Sequence, residues 1–199
     1  ISPNMGVTYS DAEKVVGSKR YYNKSVRLTF DVKEANFDKD DVNIQITKNG
    51  KAVSVKHQLT WKKEKTADTY KGTLTIPAPK NHSMDGEYMV AVKYSDKSGN
   101  VMKVSNETVN RYVSPILVID TTRPDVSVAY NTNRAEKTLK DVDGHNRQYY
   151  SKTRVAKVKI VETNFNEKNV KFSIDAKDAA GNAIRSNVVK SKWISVGNV

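Results

Sequence analysis

Apolar and polar residues alternate with period two along most of the chain. Val26, Leu28, Phe30 and Val32 fall on one face, and Arg27, Thr29, Asp31 and Lys33 on the other. Such alternation marks an antiparallel sheet wetted on one side. Met5, Val7 and Tyr9 form an earlier strand that opens after the stiff Pro3, and Val42, Ile44 and Ile46 form a later one. Lys48-Asn-Gly-Lys51 predicts a tight hairpin, because Asn-Gly accepts positive φ. Val53, Val55, Leu59 and Trp61 continue the sheet. Residues 70–76 alternate as a strand that stops at Pro77 and Pro79, and 84–94 predict another. Residues 95–100 read as a turn, and 101–104 and 113–119 complete the unit.

The pattern occurs twice. Tyr21-Tyr22 aligns with Tyr149-Tyr150, and Glu34-Ala-Asn-Phe37 with Glu162-Thr-Asn-Phe165, both 128 residues apart. Pro3 to Tyr9 aligns with Pro124 to Tyr130 at a spacing of 121 residues, so the second copy carries seven extra residues between its first two strands. A repeat of this length sets the fold unit. The two connections, 10–20 and 131–148, lack clear periodicity; each has room for a short helical turn. The second is long for a connection in a compact domain, and loops of that length are often functional. Ala156, Val158 and Ile160 take the inward positions of the second copy, Asp178-Ala-Ala-Gly-Asn182 stands where the Asn-Gly hairpin stood, and Trp193 stands for Trp61. No counterpart of residues 70–119 follows. The expected organisation is therefore all-β: tandem immunoglobulin-like β-sandwiches, one over 1–121 and the first part of a second over 122–199. Pro124 stiffens the short junction between them.

Composition narrows the picture. With 37% hydrophobic and 28% charged residues, the chain has apolar material for two thin cores rather than one thick one. It contains no cysteine, so no disulfide staples it. No apolar run approaches the length of a membrane span. The opening Ile-Ser-Pro-Asn is neither a start nor a signal peptide, so an internal piece of a longer protein is expected. The net charge of +12 is spread over alternating strands, as at Lys157 and Lys159, where lysines cover wet faces and blunt sheet edges. Without a block of like charges, nucleic-acid binding is not expected.

Catalytic signatures do not emerge. His57, His82 and His145 show no paired zinc spacing, and no nucleophile elbow or glycine-rich phosphate loop occurs. No enzyme activity, cofactor or metal is expected. Asp38-Lys-Asp-Asp41 has the alternating oxygens of a calcium loop, but its copy, Asn166-Glu-Lys-Asn169, has lost carboxylates, and a solvated turn is the better reading. The tyrosine pairs suggest binding, since Tyr and Arg are enriched in interface hot spots. Adjacent strand residues point to opposite faces, so one tyrosine of each pair is expected in the core and the other outside. The candidate contacts are therefore Arg20, Tyr21, Tyr22, Arg147, Tyr149 and Tyr150, followed by the connection 131–148.

The chain also resembles the tandem Ig-like repeats of large Gram-positive cell-wall proteins of gut Clostridia type. The resemblance rests on Tyr21-Tyr22 with Glu34-Ala-Asn-Phe37, on Asp85-Gly-Glu-Tyr88, on Tyr94-Ser-Asp-Lys-Ser-Gly-Asn100, and on Val118-Ile-Asp-Thr-Thr-Arg-Pro124. It covers nearly all of 1–124 and the first part of 124–199. It implies a secreted, wall-anchored, non-catalytic stalk or adhesin whose partners are neighbouring repeats. It also implies, for some such modules, binding of a host glycoprotein or an immunoglobulin. Surface domains of this class include some cross-linked through Lys and Asn; this sequence singles out no pair.

Overall fold

The computed structural model describes residues 1–54, 58–131, 134–178, 180–185 and 193–196. Val55, His57, Thr132, Asn133 and Ala179 lie outside the described residues. Regular structure is β; among the described residues the only helical segments are two single 3-10 turns, Lys39–Asp41 and Glu167–Asn169. None is long and apolar enough to cross a membrane. The chain divides into two units, Ile1–Thr122 and Arg123–Val199.

The first unit begins with β1 (Asn4–Tyr9), β2 (Lys14–Val16), β3 (Lys19–Tyr22), β4 (Val26–Lys33), β5 (Asn43–Lys48), β6 (Lys51–Val53) and β7 (Leu59–Lys63). It continues with β8 (Thr69–Ile76), β9 (Gly86–Lys93), β10 (Lys103–Val104), β11 (Glu107–Thr108), β12 (Tyr112–Val113) and β13 (Ile116–Ile119). One sheet has the order β11-β10-β1-β4-β8-β7. The other runs β2-β3-β13-β9-β5-β6, with β12 also on β9. Strand alternation explains the core between them. Val26, Leu28, Phe30 and Val32 of β4 are fully buried, facing Tyr88, Val90 and Val92 of β9 and Leu117 and Ile119 of β13. Each such side chain contributes about 1.5–3 kcal/mol by leaving water.

Turn chemistry follows the residues. Asn49 and Gly50 both take positive φ, at 50° and 78°, and join β5 to β6 as a two-residue hairpin. The connection 10–20 differs from expectation: it is neither irregular nor helical. It makes the β2–β3 hairpin, turning at Gly17 with φ of 58°, and β3 then pairs in parallel with β13. Trp61 also departs from the pattern of a tryptophan buried at the sandwich centre. It is half-buried on the edge strand β7 and packs against Phe37 and Phe30, with ring centroids 4.9 and 6.3 Å away. It lies over Gly72, its cross-strand partner; a Cβ there would fall 2.6 Å from the indole.

The second unit holds β14 (Asp125–Tyr130), β15 (Lys137–Lys140), β16 (Asn146–Tyr149), β17 (Ala156–Val161), β18 (Ala176–Lys177) and β19 (Ala183–Ile184). They form three two-stranded sheets, β14-β17, β15-β16 and β18-β19. The connection 131–148 is thus largely a β-hairpin, and the seven extra residues lengthen it relative to β2–β3. Residues 171–175, the counterparts of all but the last residue of β5, lie outside any strand. In the first unit β5 is held by β9; the second unit offers no equivalent of β9 among the described residues.

Candidate binding residues and polar clusters

Within the first tyrosine pair, Tyr22 is the core residue, fully buried, and Tyr21 is half-buried. Arg20 is turned inward. Its Nε donates to Tyr22 Oη at 3.1 Å, Tyr22 Oη donates to the Ser10 carbonyl at 3.2 Å, and the guanidinium sits 5.3 Å from the Tyr9 ring centroid. Tyr9 Oη in turn meets Tyr112 Oη, and burial pushes the Tyr9 phenol well above its ordinary value. Arg20 and Tyr22 therefore tie the β2–β3 hairpin to β1. Arg20 and Tyr21 are both half-buried, and alternation sets Tyr21 on the face opposite Tyr22.

The second unit spends its residues differently. Tyr149 is exposed, and Tyr150 is half-buried, with its Oη donating to Gln148 Oε1 at 2.7 Å. Arg154 lies 3.9 Å from the Tyr150 ring centroid and 4.5 Å from that of Tyr130. It occupies the position of the buried Val26, so a cation stacked between two rings stands where the first unit has an aliphatic core residue. Arg147 donates through Nε to Asp141 Oδ2 at 3.1 Å.

Asp141 organises the tip of the β15–β16 hairpin. Its Oδ1 accepts from the Asp143 and His145 N–H groups at 3.0 and 2.9 Å. The His145 N–H, with Arg147 and the Asp143 N–H, holds this carboxyl below the usual carboxylate range. Asp96 and Asp178 repeat the device: each accepts from backbone N–H groups two and four residues on, and Asn100 or Asn182 donates its side-chain amide to the other oxygen. The Asp178–Asn182 turn joins β18 to β19, but by the bonding of the Asp96 loop rather than that of Asn49-Gly50.

Among the described residues, two acidic stretches bear on metal binding. Asp141, Asp143 and His145 bring one ligand atom each within 4.8 Å of one another, a grouping the alternate spacing 141-143-145 signals but the sequence reading passed over. Asp141 Oδ1 is already engaged by two N–H groups. Asp38 is similarly engaged. It caps the 3-10 turn by accepting the Asp40 N–H at 3.0 Å and pairs with Lys97 at 3.3 Å, and these contacts lower its pKa. Its first oxygen is thereby committed to the backbone.

A polar cluster that the sequence did not reveal lies at one end of the first unit. Thr121 donates its N–H to Asp85 Oδ2 at 2.9 Å and its Oγ1 proton to Asp85 Oδ1 at 2.7 Å. Thr121 Oγ1 is also 2.6 Å from His82 Nδ1. A hydroxyl has one proton. With that proton on the Asp85 side, His82 Nδ1–H is the donor, so the imidazole is turned the wrong way to deprotonate Thr121. The group ties the segment 82–85 to Thr121.

Near the Asp96 loop, a shallow groove of about 430 Å³ is lined by Asp41, Asn43, Lys93, Tyr94, Asp96 and Lys97, among others. Tyr94 is buried, and its hydroxyl makes no hydrogen bond of ordinary geometry. Burial pushes its pKa up to about 12, a rise the Asp38 N–H partly offsets. No family model, curated protein or solved structure matches the chain.

Proposed function

We propose that the chain is a non-catalytic segment of a bacterial cell-surface protein, built from tandem immunoglobulin-like sandwiches that serve as stalk and adhesive module. The observation that carries this reading is repeated geometry. β1 meets β4 from Asn4↔Lys33 to Tyr9↔Leu28, and β14 meets β17 from Asp125↔Val161 to Tyr130↔Ala156, the same register displaced by the repeat spacing. Glu34 accepts the Asn36 N–H as Glu162 accepts that of Asn164. Asp38 and Asn166 cap matching 3-10 turns. Phe37 packs on Trp61 as Phe165 packs on Trp193, at 4.9 and 5.3 Å.

Strand order supports the immunoglobulin-like assignment. With β2, β3 and β10–β12 set aside, the remaining strands of the first unit run as A, B, C, C′, D, E, F and G. The sheets then read A-B-E-D and G-F-C-C′. The resemblance of the quoted motifs to wall-anchored repeats supports the surface location, and the inward-turned polar groups support a non-catalytic role.

A second reading, recognition of a host glycoprotein or immunoglobulin, is favoured by the lengthened β15–β16 hairpin. It presents Val142 fully exposed at its tip with Tyr149 exposed at its base. Immobilised chain challenged with purified immunoglobulin and mucin separates the two. A pure stalk retains neither at micromolar concentration. Retention lost when residues 137–149 are replaced by the short turn of the first unit assigns binding to the hairpin.

A further inference from the structure

Asn49-Gly50 is the only Asn-Gly pair in the chain. In such a pair the side chain can be attacked by the backbone that follows it. The Gly50 nitrogen adds to Asn49 Cγ, the amide nitrogen leaves as ammonia with the Gly50 proton, and water opens the resulting five-membered imide at either carbonyl. Aspartate or isoaspartate remains, and nothing is oxidised or reduced. Glycine favours the step because no Cβ shields its nitrogen. Both residues are exposed at the tip of the β5–β6 hairpin, so water has access.

The folded hairpin opposes this attack in two ways. Positive φ at both central residues is that of the mirror-image type I turn, in which the first central residue has ψ of about +30°. Ring closure needs the Gly50 nitrogen on the Cβ side of the Asn49 Cα–C bond, and that ψ sends it to the opposite side. β9 then fixes the side chain. Asn49 Oδ1 accepts the Glu87 N–H at 2.9 Å, while the Asn49 N–H donates to the Glu87 carbonyl at 2.8 Å. The carboxamide lies over Gly86, where a Cβ would fall 2.9 Å from Asn49 Oδ1 and from Lys48 Cε. We propose that Asn49 is a modification site gated by β9: locked while the hairpin is docked, and converted by its own backbone when the hairpin lifts away. The two products differ in consequence. Aspartate keeps an oxygen for the Glu87 N–H, and the hairpin closes again. Isoaspartate adds a methylene to the backbone between residues 49 and 50, so a two-residue turn no longer brings Lys48 opposite Lys51. The conversion is then a lasting record that the hairpin has opened.

The test incubates the full chain, a Gly86→Ala chain and a synthetic peptide spanning 46–53 at neutral pH. Conversion of Asn49 is followed by the mass of the digested fragment, and isoaspartate by enzymatic methyl labelling. The parent chain converts at least about tenfold more slowly than the peptide, and the Gly86→Ala chain at a rate between the two. Equal rates in the parent chain and the peptide, or a folded Gly86→Ala chain that converts no faster than the parent, overturns the proposal. The parent chain in graded urea tests the gate without a substitution. Conversion that quickens while the β4 amide signals are intact upholds the gate, and conversion that quickens only as they are lost overturns it.

Discussion

Asp85 and Thr121 are joined twice, through the backbone N–H and the hydroxyl of Thr121, at 2.9 and 2.7 Å. This links two stretches that the sequence sets 36 residues apart, the Asp-Gly-Glu-Tyr at the start of β9 and the Asp-Thr-Thr at the end of the unit. Asp85 is mostly buried, and each hydrogen bond to a charged group is worth about 1.5–3 kcal/mol. Asp85→Ala is expected to speed amide exchange of Thr121 at least about tenfold, since local opening no longer breaks those bonds. Exchange as slow as in the parent chain would show that the neighbouring strand ladder alone holds this segment.

Gly72 is required by the ring above it. A methyl group there meets the Trp61 indole at 2.6 Å, so Gly72→Ala must push the ring off Phe37 or bend β8. Overpacking of this kind costs about 1–3 kcal/mol. Urea unfolding followed by tryptophan fluorescence should show that loss together with a shifted native spectrum.

Tyr94 carries a buried hydroxyl that makes no hydrogen bond of ordinary geometry, its nearest donor being the Asp38 N–H. An unsatisfied buried polar group costs about 1–3 kcal/mol, so Tyr94→Phe should raise the stability of the first unit by about 1 kcal/mol. A lower melting temperature in the variant would mean that the Asp38 N–H is a stronger partner than its geometry indicates.

Acid acts on the aspartate turns. Side-chain and backbone donation from Asn100 holds Asp96 below the ordinary carboxylate value, and Asn182 does the same for Asp178. A depressed folded pKa stabilises the turn above the unfolded value, and that stability is lost as pH falls through the folded one. The Asn100 and Asn182 amide resonances should therefore hold steady down to about pH 4 and move only below it. Movement nearer neutrality would contradict the assignment.

The strands with strict alternation are legible in the chain itself. Val26 to Val32 name their own face, and Asn49-Gly50 names its own turn. The β2–β3 hairpin escaped because its strands span only three and four residues, too short for periodicity to register, and Val15 and Val16 are both exposed. The tyrosine pairs were half legible. Alternation places one residue inside, but only the tertiary contact with Ser10 and Tyr9 reveals that Arg20 goes inward with Tyr22. Nothing local marks Thr121 as the partner of Asp85, because a hydrogen bond across such a separation leaves no pattern in either segment.

β3 and β13 run side by side in the same direction over four residue pairs, from Lys19↔Ile116 to Tyr22↔Ile119. One lies near the start of the first unit and the other is its final strand. Tension that reaches β3 from the start of the unit, beyond β1 and β2, and β13 from its end drags the two along their own length in opposite senses. The rungs between them are then sheared together, whereas an antiparallel hairpin pulled at its open end would unzip rung by rung. Weak bonds loaded at the same moment resist as a group.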